Sequence, residues 1–169
     1  MQTRVKELIR QSISIKERLY TDDDMVQRVA AAVAVVTTAL KNGRQLYFCR
    51  NGGSVVDAQH LAAEFSDRFY KDRRALPADA LHCNTSYLTA VANDYTYDVV
   101  YARLVDGIMQ SGDVLVGLST SGTSRNVVQA FEAARKKGVH TIGFTGASGG
   151  KMKDFSDFLF NMPSSDTPR

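Results

Sequence analysis

What this sequence lacks removes several kinds of chemistry. It has two cysteines in 169 residues, Cys49 and Cys83, with no CxxC spacing. Both fall in or beside apolar strand-like segments and read as reduced, buried small hydrophobes. Proline occurs three times and no tract is of low complexity, so no long stretch is expected to be disordered. Neither sign of charge dominates: the net charge is +3, with Lys and Arg interleaved among Asp and Glu. The one basic run, residues 71–74, is short and offset by Asp72, which argues against a nucleic-acid surface. The longest apolar stretch, residues 29–36 behind Arg28, is too short and Ala-rich to cross a bilayer. Residues 1–6 carry no apolar signal core, so the expected location is the cytoplasm, with no membrane partner. There is no GxxxxGK[ST] loop and no GxGxxG after the first strand, so ATP and NAD lose most of their support.

What is present is an alternation of periods. Val5, Leu8, Ile9, Ile13, Ile15 and Leu19 recur at roughly helical spacing over residues 3–20. Thr21 reads as an N-cap before the acidic turn Asp22, Asp23, Asp24, opening a second helix that runs to about Leu40 and ends at Asn42-Gly43. Beyond it the pattern predicts strands over 45–49, 80–83, 114–119, 141–145 and 158–161. Helices are predicted over 55–68, 86–91, 97–109, 124–137 and 151–155. Near-continuous apolar strands separated by helices mean a parallel sheet covered on both faces. The expectation is one α/β domain over residues 1–169: N-terminal helices over about 3–41, then a doubly wound three-layer sandwich over about 44–161 with about five parallel strands. Ligands bind such sheets at the carboxyl ends of the strands, and each polar, Gly-containing loop here follows a strand.

Two of those loops carry chemistry. Asn51, Gly52, Gly53 and Ser54 follow the first strand and run straight into a helix, which suits an anion: glycines admit a close backbone approach and the helix start is positive. On that helix His60 and Glu64 stand at i and i+4, on one face. They fit a solvated stripe with Asp57 and Arg68, in which Glu64 and Arg68 form an ion pair; they also fit two ligands of a divalent metal such as zinc, or a general base in Glu64. The second loop, Ser119, Thr120, Ser121, Gly122, Thr123, Ser124, places five hydroxyls in six positions before another helix. One hydroxyl is a cap; five favour a phosphate monoester, held by neutral donors and backbone amides. Asn93-Asp94 reads equally as a turn or as contacts for sugar hydroxyls. His82 and His140 lie in strand-like settings and read as satisfied structural histidines.

With these pieces together, the chain resembles the sugar isomerase (SIS) domain superfamily, and within it the bacterial phosphoheptose isomerases. The resemblance rests on residues 51–54, on Asp57, Ala58, Gln59, His60, Glu64, Arg68 and Phe69, and on Ala92, Asn93 and Asp94. It continues through residues 119–124, Thr145-Gly146, residues 149–152 and the terminal stretch 163–169. It implies interconversion of sedoheptulose 7-phosphate and D-glycero-D-manno-heptose 7-phosphate through a cis-enediol, towards lipopolysaccharide-core heptose. It further implies a homotetramer with N-terminal helices in its interface and active sites shared between subunits. Ser119, Thr120, Ser121 and Ser124 would hold the phosphate with Ser54 nearby; Asn51 and Asp94, with Gly52, Gly53, Arg68 and Asn93 in the matching motifs, would contact substrate. Glu64 would move the proton between C1 and C2, and zinc would sit at His60 and Glu64.

A related branch, a tetrameric non-catalytic binding protein that associates with the bacterial replication initiator, tends to lack the carboxylate at Glu64; its presence favours the enzyme. Isomerisation of another phosphosugar is a third reading. Against the family pattern, Arg50 replaces a usual Gly and Thr123 a usual Asn. Thr167-Pro168 resembles a helix start, and the resemblance implies a final helix just after Arg169 carrying a Gln and a His that complete the metal site and supply the second acid/base group. The sequence is therefore expected to be part of a longer one.

Overall fold

A computed structural model describes residues 1–164 and 166; the expected helix start at Thr167-Pro168 lies outside the described residues. The first two helices, α1 (Gln2–Tyr20) and α2 (Asp23–Lys41), precede a five-stranded sheet. The N-cap of α2 is Asp22, whose side chain accepts from Met25 N, and not Thr21. Thr21 instead closes α1, its hydroxyl donating back to Glu17 O at 3.0 Å. An acidic residue one position nearer the helix satisfies both the orphan N–H and the dipole, so it takes the cap.

The strands are β1 (Leu46–Cys49), β2 (Ala78–Ala80), β3 (Val114–Ser119), β4 (His140–Thr145) and β5 (Phe158–Asn161). All neighbours are parallel, in the order β2-β1-β3-β4-β5. That is the doubly wound arrangement expected. Strand β2 lies two residues earlier than the pattern suggested, because Ala80 pairs with Phe48 at its far end and Leu81 N then donates to Phe48 O. Every residue of β1 is buried, as a strand covered on both faces requires.

The covering helices are α3 (Val55–Ser66), α4 (Thr85–Asp94), α5 (Val100–Ile108) and α6 (Arg125–Lys136). One core gathers Tyr101, Val105, Leu115, Phe131 and Met152; the other gathers Met25, Leu40, Leu46, Phe48 and Ile142 on the α2 and α3 side. Gly117 explains how close α6 comes to the sheet: a Cβ there would lie 2.3 Å from the Phe131 ring. The strand gives up a side chain so that the ring can seat, at a gain of about 2–3 kcal/mol for a fully buried Phe.

Cys49 is fully buried, and burial pushes its thiol up to about 12. Cys83 is exposed, contrary to expectation, because β2 ends before it and the chain has already turned. His82 is buried with both ring nitrogens unpaired among the described residues, so it is not the satisfied histidine expected; His140 is exposed at the start of β4.

Candidate active site

The sheet order reverses between β1 and β3, and in an open α/β sheet that reversal opens a crevice at the strand ends. A cleft of about 580 Å³ lies there, lined by Arg50, Asn51 and Ser54 after β1, by 118–121 and Ser124 around the end of β3, by 146–148 after β4, and by Ser164. Both sequence-derived loops therefore face one cavity.

The 119–124 loop is built for an anion. Ser119 and Ser124 hydroxyls lie 3.0 Å apart. Ser124 is the N-cap of α6, yet its side chain makes no capping bond. Its hydroxyl and the amides at the very start of α6 thus face a ligand, while the Val127 amide is taken by Asn126 Oδ1, which weakens the reading of this loop as a mere cap. Ser121 Oγ accepts from the Thr123 amide at 3.2 Å and hydroxyl at 2.9 Å, so Thr123 supports the loop from outside the cleft. Gly122 sits at φ +65°, and a Cβ on it would come within 2.2 Å of Gly149 O. The loop rests backbone to backbone on the 149–150 turn, tied by Met152 N to Gly122 O at 3.0 Å and Gly146 N to Thr120 O at 2.8 Å.

Across the cleft, Arg50 donates to Asp57 Oδ2 at 2.8 Å, its guanidinium partly buried against the first turn of α3. The cation predicted to be a departure from pattern is thus half-neutralised and held beside the sugar loop. Gly52–Ser54 forms a 3₁₀ turn leading into α3, with Gly52 at φ +64°. Asn51 exchanges two hydrogen bonds with the buried Asn126, both at 2.8 Å. Asn126 was not singled out in the sequence; its position in the first turn of a helix gave no sign of burial or of a partner 75 residues away.

His60 and Glu64 share one face of α3, with Nε2 and Oε1 3.5 Å apart. The His60 side chain is 72% exposed and that of Glu64 33%. Neither lines the cleft. Helix α3 ends at Ser66, so Arg68 lies beyond its last turn and the expected Glu64–Arg68 pair does not form; Glu64 pairs with His60. Arg73 closes the helix instead, donating to Phe65 O at 2.8 Å and Glu64 O at 3.0 Å. Asn93 and Asp94 end α4, exposed, with Asn93 Nδ2 donating to Asp94 Oδ1 at 3.0 Å. The structure therefore brings Asn51, Ser54, Ser119, Thr120, Ser121 and Ser124 into one cavity and leaves His60, Glu64, Arg68, Asn93 and Asp94 outside it.

Imidazole and carboxylate are suitable zinc donors at this spacing, but a tetrahedral ion needs more ligands, and no third His, Cys, Asp or Glu joins them among the described residues. His60 and Glu64 fit half of such a site.

A parallel α/β sheet with a hydroxyl-rich cleft at its switch point, its one lining cation Arg50 paired with Asp57, fits a binder of phosphorylated small molecules. The SIS domain model matches residues 9–146, and the chain belongs to the SIS family, in its phosphoheptose isomerase branch. It is 44% identical over its whole length to a phosphoheptose isomerase of Clostridium acetobutylicum, covering 86% of that protein. Over 86% of the chain it is 53% identical to one from Rhodospirillum rubrum, 78% of which is covered. Among solved structures, phosphoheptose isomerase GmhA of Neisseria gonorrhoeae superposes with a TM-score of 0.90 at 38% identity, covering 99% of this chain and 88% of that one. A phosphoheptose isomerase from Francisella tularensis gives 0.92 at 29% identity, with the same coverage.

Proposed function

We propose that this chain is a phosphoheptose isomerase, interconverting sedoheptulose 7-phosphate and D-glycero-D-manno-heptose 7-phosphate on the way to lipopolysaccharide-core heptose. The observation that carries it is the cleft itself: hydroxyls of Ser119, Thr120, Ser121 and Ser124 gathered at the start of α6, facing Asn51 and Ser54 across the cavity, in a chain 44% identical over its full length to a named phosphoheptose isomerase.

In this reading the phosphate lies against the start of α6, where the dipole and neutral donors favour a dianion without a lysine to retain the product. The heptose chain then extends past Asn51 and Ser54 towards the Glu64 carboxylate that the assembled oligomer brings to the cleft. The Glu64 carboxylate takes the proton from the carbon next to the carbonyl and returns it to the neighbouring carbon, through a cis-enediol. A positioned base of this kind supplies about 10²- to 10⁴-fold of the rate. Gly52 and Gly53 allow close backbone approach, and Arg68, Asn93 and Asp94 contact substrate. Zinc is the metal that His60 Nε2 and Glu64 would hold together with ligands outside the described residues; bound there, it would polarise the sugar carbonyl as a Lewis acid.

Glu64, His60 and Asp94 stand away from the cleft of their own chain, which supports a homotetramer with shared active sites. Helix α1 buries no residue, while Val5, Ile9 and Ile13 on it, and Val26, Val29 and Val33 on α2, are exposed. Such a stripe at helical spacing is what a helix–helix interface between copies would cover. No helix is long and apolar enough to cross a membrane; a phosphorylated intracellular sugar as substrate supports a cytoplasmic location.

The test is conversion of sedoheptulose 7-phosphate by the full-length protein and by Glu64→Gln. The amide keeps the shape of the carboxylate and removes its basicity, so activity should fall at least 100-fold with phosphate binding intact. Wild-type activity in the variant removes Glu64 from the mechanism. A wild-type protein that binds but isomerises no C5 to C7 sugar phosphate leaves the non-catalytic binding reading.

A further inference from the structure

Asn126 belongs to neither phosphate loop, yet it is one of the few buried polar side chains, 3% exposed at the start of α6. Three hydrogen bonds converge on it. Its Nδ2 donates to Asn51 Oδ1 and its Oδ1 accepts from Asn51 Nδ2, each at 2.8 Å. The same Oδ1 accepts the main-chain N–H of Val127 at 3.0 Å.

The third bond removes an ambiguity. A reciprocal pair of amides is equally satisfied when both side chains are turned over together. A main-chain N–H can only donate. Turning Asn126 over would set its NH₂ group against Val127 N–H, so its oxygen is fixed in place. Through the pair, the rotational sense of Asn51 is fixed as well. Asn51 spends its oxygen and one N–H on Asn126, and it lines the cleft. One N–H of Asn51 is left in a constant position.

We infer that Asn126 is a positioning residue for the isomerisation, acting through Asn51: it locks that amide so that the second N–H of Asn51 always meets an oxygen of the sugar chain. Without the lock, the Asn51 amide rotates, and half of its orientations offer a carbonyl oxygen where the substrate needs a donor. The start of α6 thus serves both ends of the substrate, the phosphate directly and the sugar by way of Asn51. This rests on the isomerase reading above.

The experiment is a double-mutant cycle on the full-length protein with Asn51→Ala, Asn126→Ala and the double variant. It measures kcat and KM separately, and Kd for sedoheptulose 7-phosphate and for inorganic phosphate. Asn126→Ala should lower kcat/KM about 10- to 100-fold, the effect of losing a buried polar contact. In the Asn51→Ala background the same change should cost less than about twofold, since residues that act as one unit are non-additive. Binding of inorganic phosphate should not change.

Asn126→Asp supplies the second readout, because it keeps the acceptor for Val127 N–H while losing the donor to Asn51. Its activity relative to wild type should rise as pH falls from 8 to 5.5, when a protonated carboxyl regains that donor. Equal losses from Asn126→Ala in both backgrounds, or an Asn126→Asp enzyme that matches wild type at every pH, overturn the inference. If the wild-type protein binds the sugar phosphate without isomerising it, the isomerase reading fails alone, and the same cycle run on Kd decides the role of Asn126.

Discussion

The phenol of Tyr101 donates to the main-chain carbonyl of Arg50 at 2.7 Å from a position with no solvent exposure. Helix α5 thereby pins the residue just before the sugar loop, one position ahead of the Asn51 that Asn126 holds. Burial pushes the Tyr101 hydroxyl well above its ordinary range, so it remains a donor at every working pH. Tyr101→Phe leaves the carbonyl without its partner and should cost about 1–3 kcal/mol of unfolding free energy in a denaturant titration. A variant as stable as wild type would show that the carbonyl finds water.

Ser124 separates a phosphate site from a helix cap. Since its side chain makes no capping bond, Ser124→Ala should leave thermal stability within about 0.5 kcal/mol, against about 1 kcal/mol for loss of a working cap. Affinity for inorganic phosphate, measured by calorimetry, should fall about tenfold with the loss of one hydrogen bond to a charged group. The opposite pattern, lower stability with unchanged phosphate binding, would return the loop to a structural role.

Gly122→Ala should be far more damaging than its size suggests. The added methyl would meet Gly149 O at 2.2 Å, and the backbone there is left-handed. Strain of about 1–3 kcal/mol is expected in unfolding experiments. Phosphate affinity should be lost with it, because the 119–124 loop and the 149–150 turn cannot both keep their places.

His82 makes stability depend on pH. Burial lowers its pKa below the ordinary 6.5, with Asp79 opposing the shift less strongly. The unfolded chain therefore binds a proton below about pH 6.5 that the folded chain refuses. Stability is full above that pH and declines as the pH falls through it towards the lowered folded value. His82→Leu should flatten the decline between pH 7 and 5 in thermal melts. A slope equal to wild type would assign the acid sensitivity to other groups.

The architecture was largely legible because parallel strands leave long apolar runs and each is followed by its glycine or hydroxyl loop. The residues of β5 were read without error, and both site loops were placed at the correct strand ends. Misreadings came where two signals compete within a residue or two. Thr21 and Asp22 are both good caps, and only the turn between α1 and α2 selects Asp22. Glu64 and Arg68 have helical spacing, but the helix stops at Ser66, a boundary the pattern does not mark. Asn126 and Tyr101 were invisible for a different reason. Their partners, Asn51 and Arg50, are 75 and 51 residues away, and no local period encodes a contact at that range.

Two anchors of the N-terminal helices lie far along the chain from them. Arg18 donates to Pro163 O at 3.0 Å and Arg28 to Leu159 O at 3.3 Å, contacts that span 145 and 131 residues. A ribosome delivers α1 and α2 well before these two acceptors. Helix α2 can pack on β1, β3 and β4 as they form, but Arg18 and Arg28 find their carbonyl acceptors only when the segment around β5 has been made. Loss of β5 would leave α2 its core contacts with Leu46, Phe48 and Ile142 while removing both arginine anchors, so the helices would stay attached but loosely oriented.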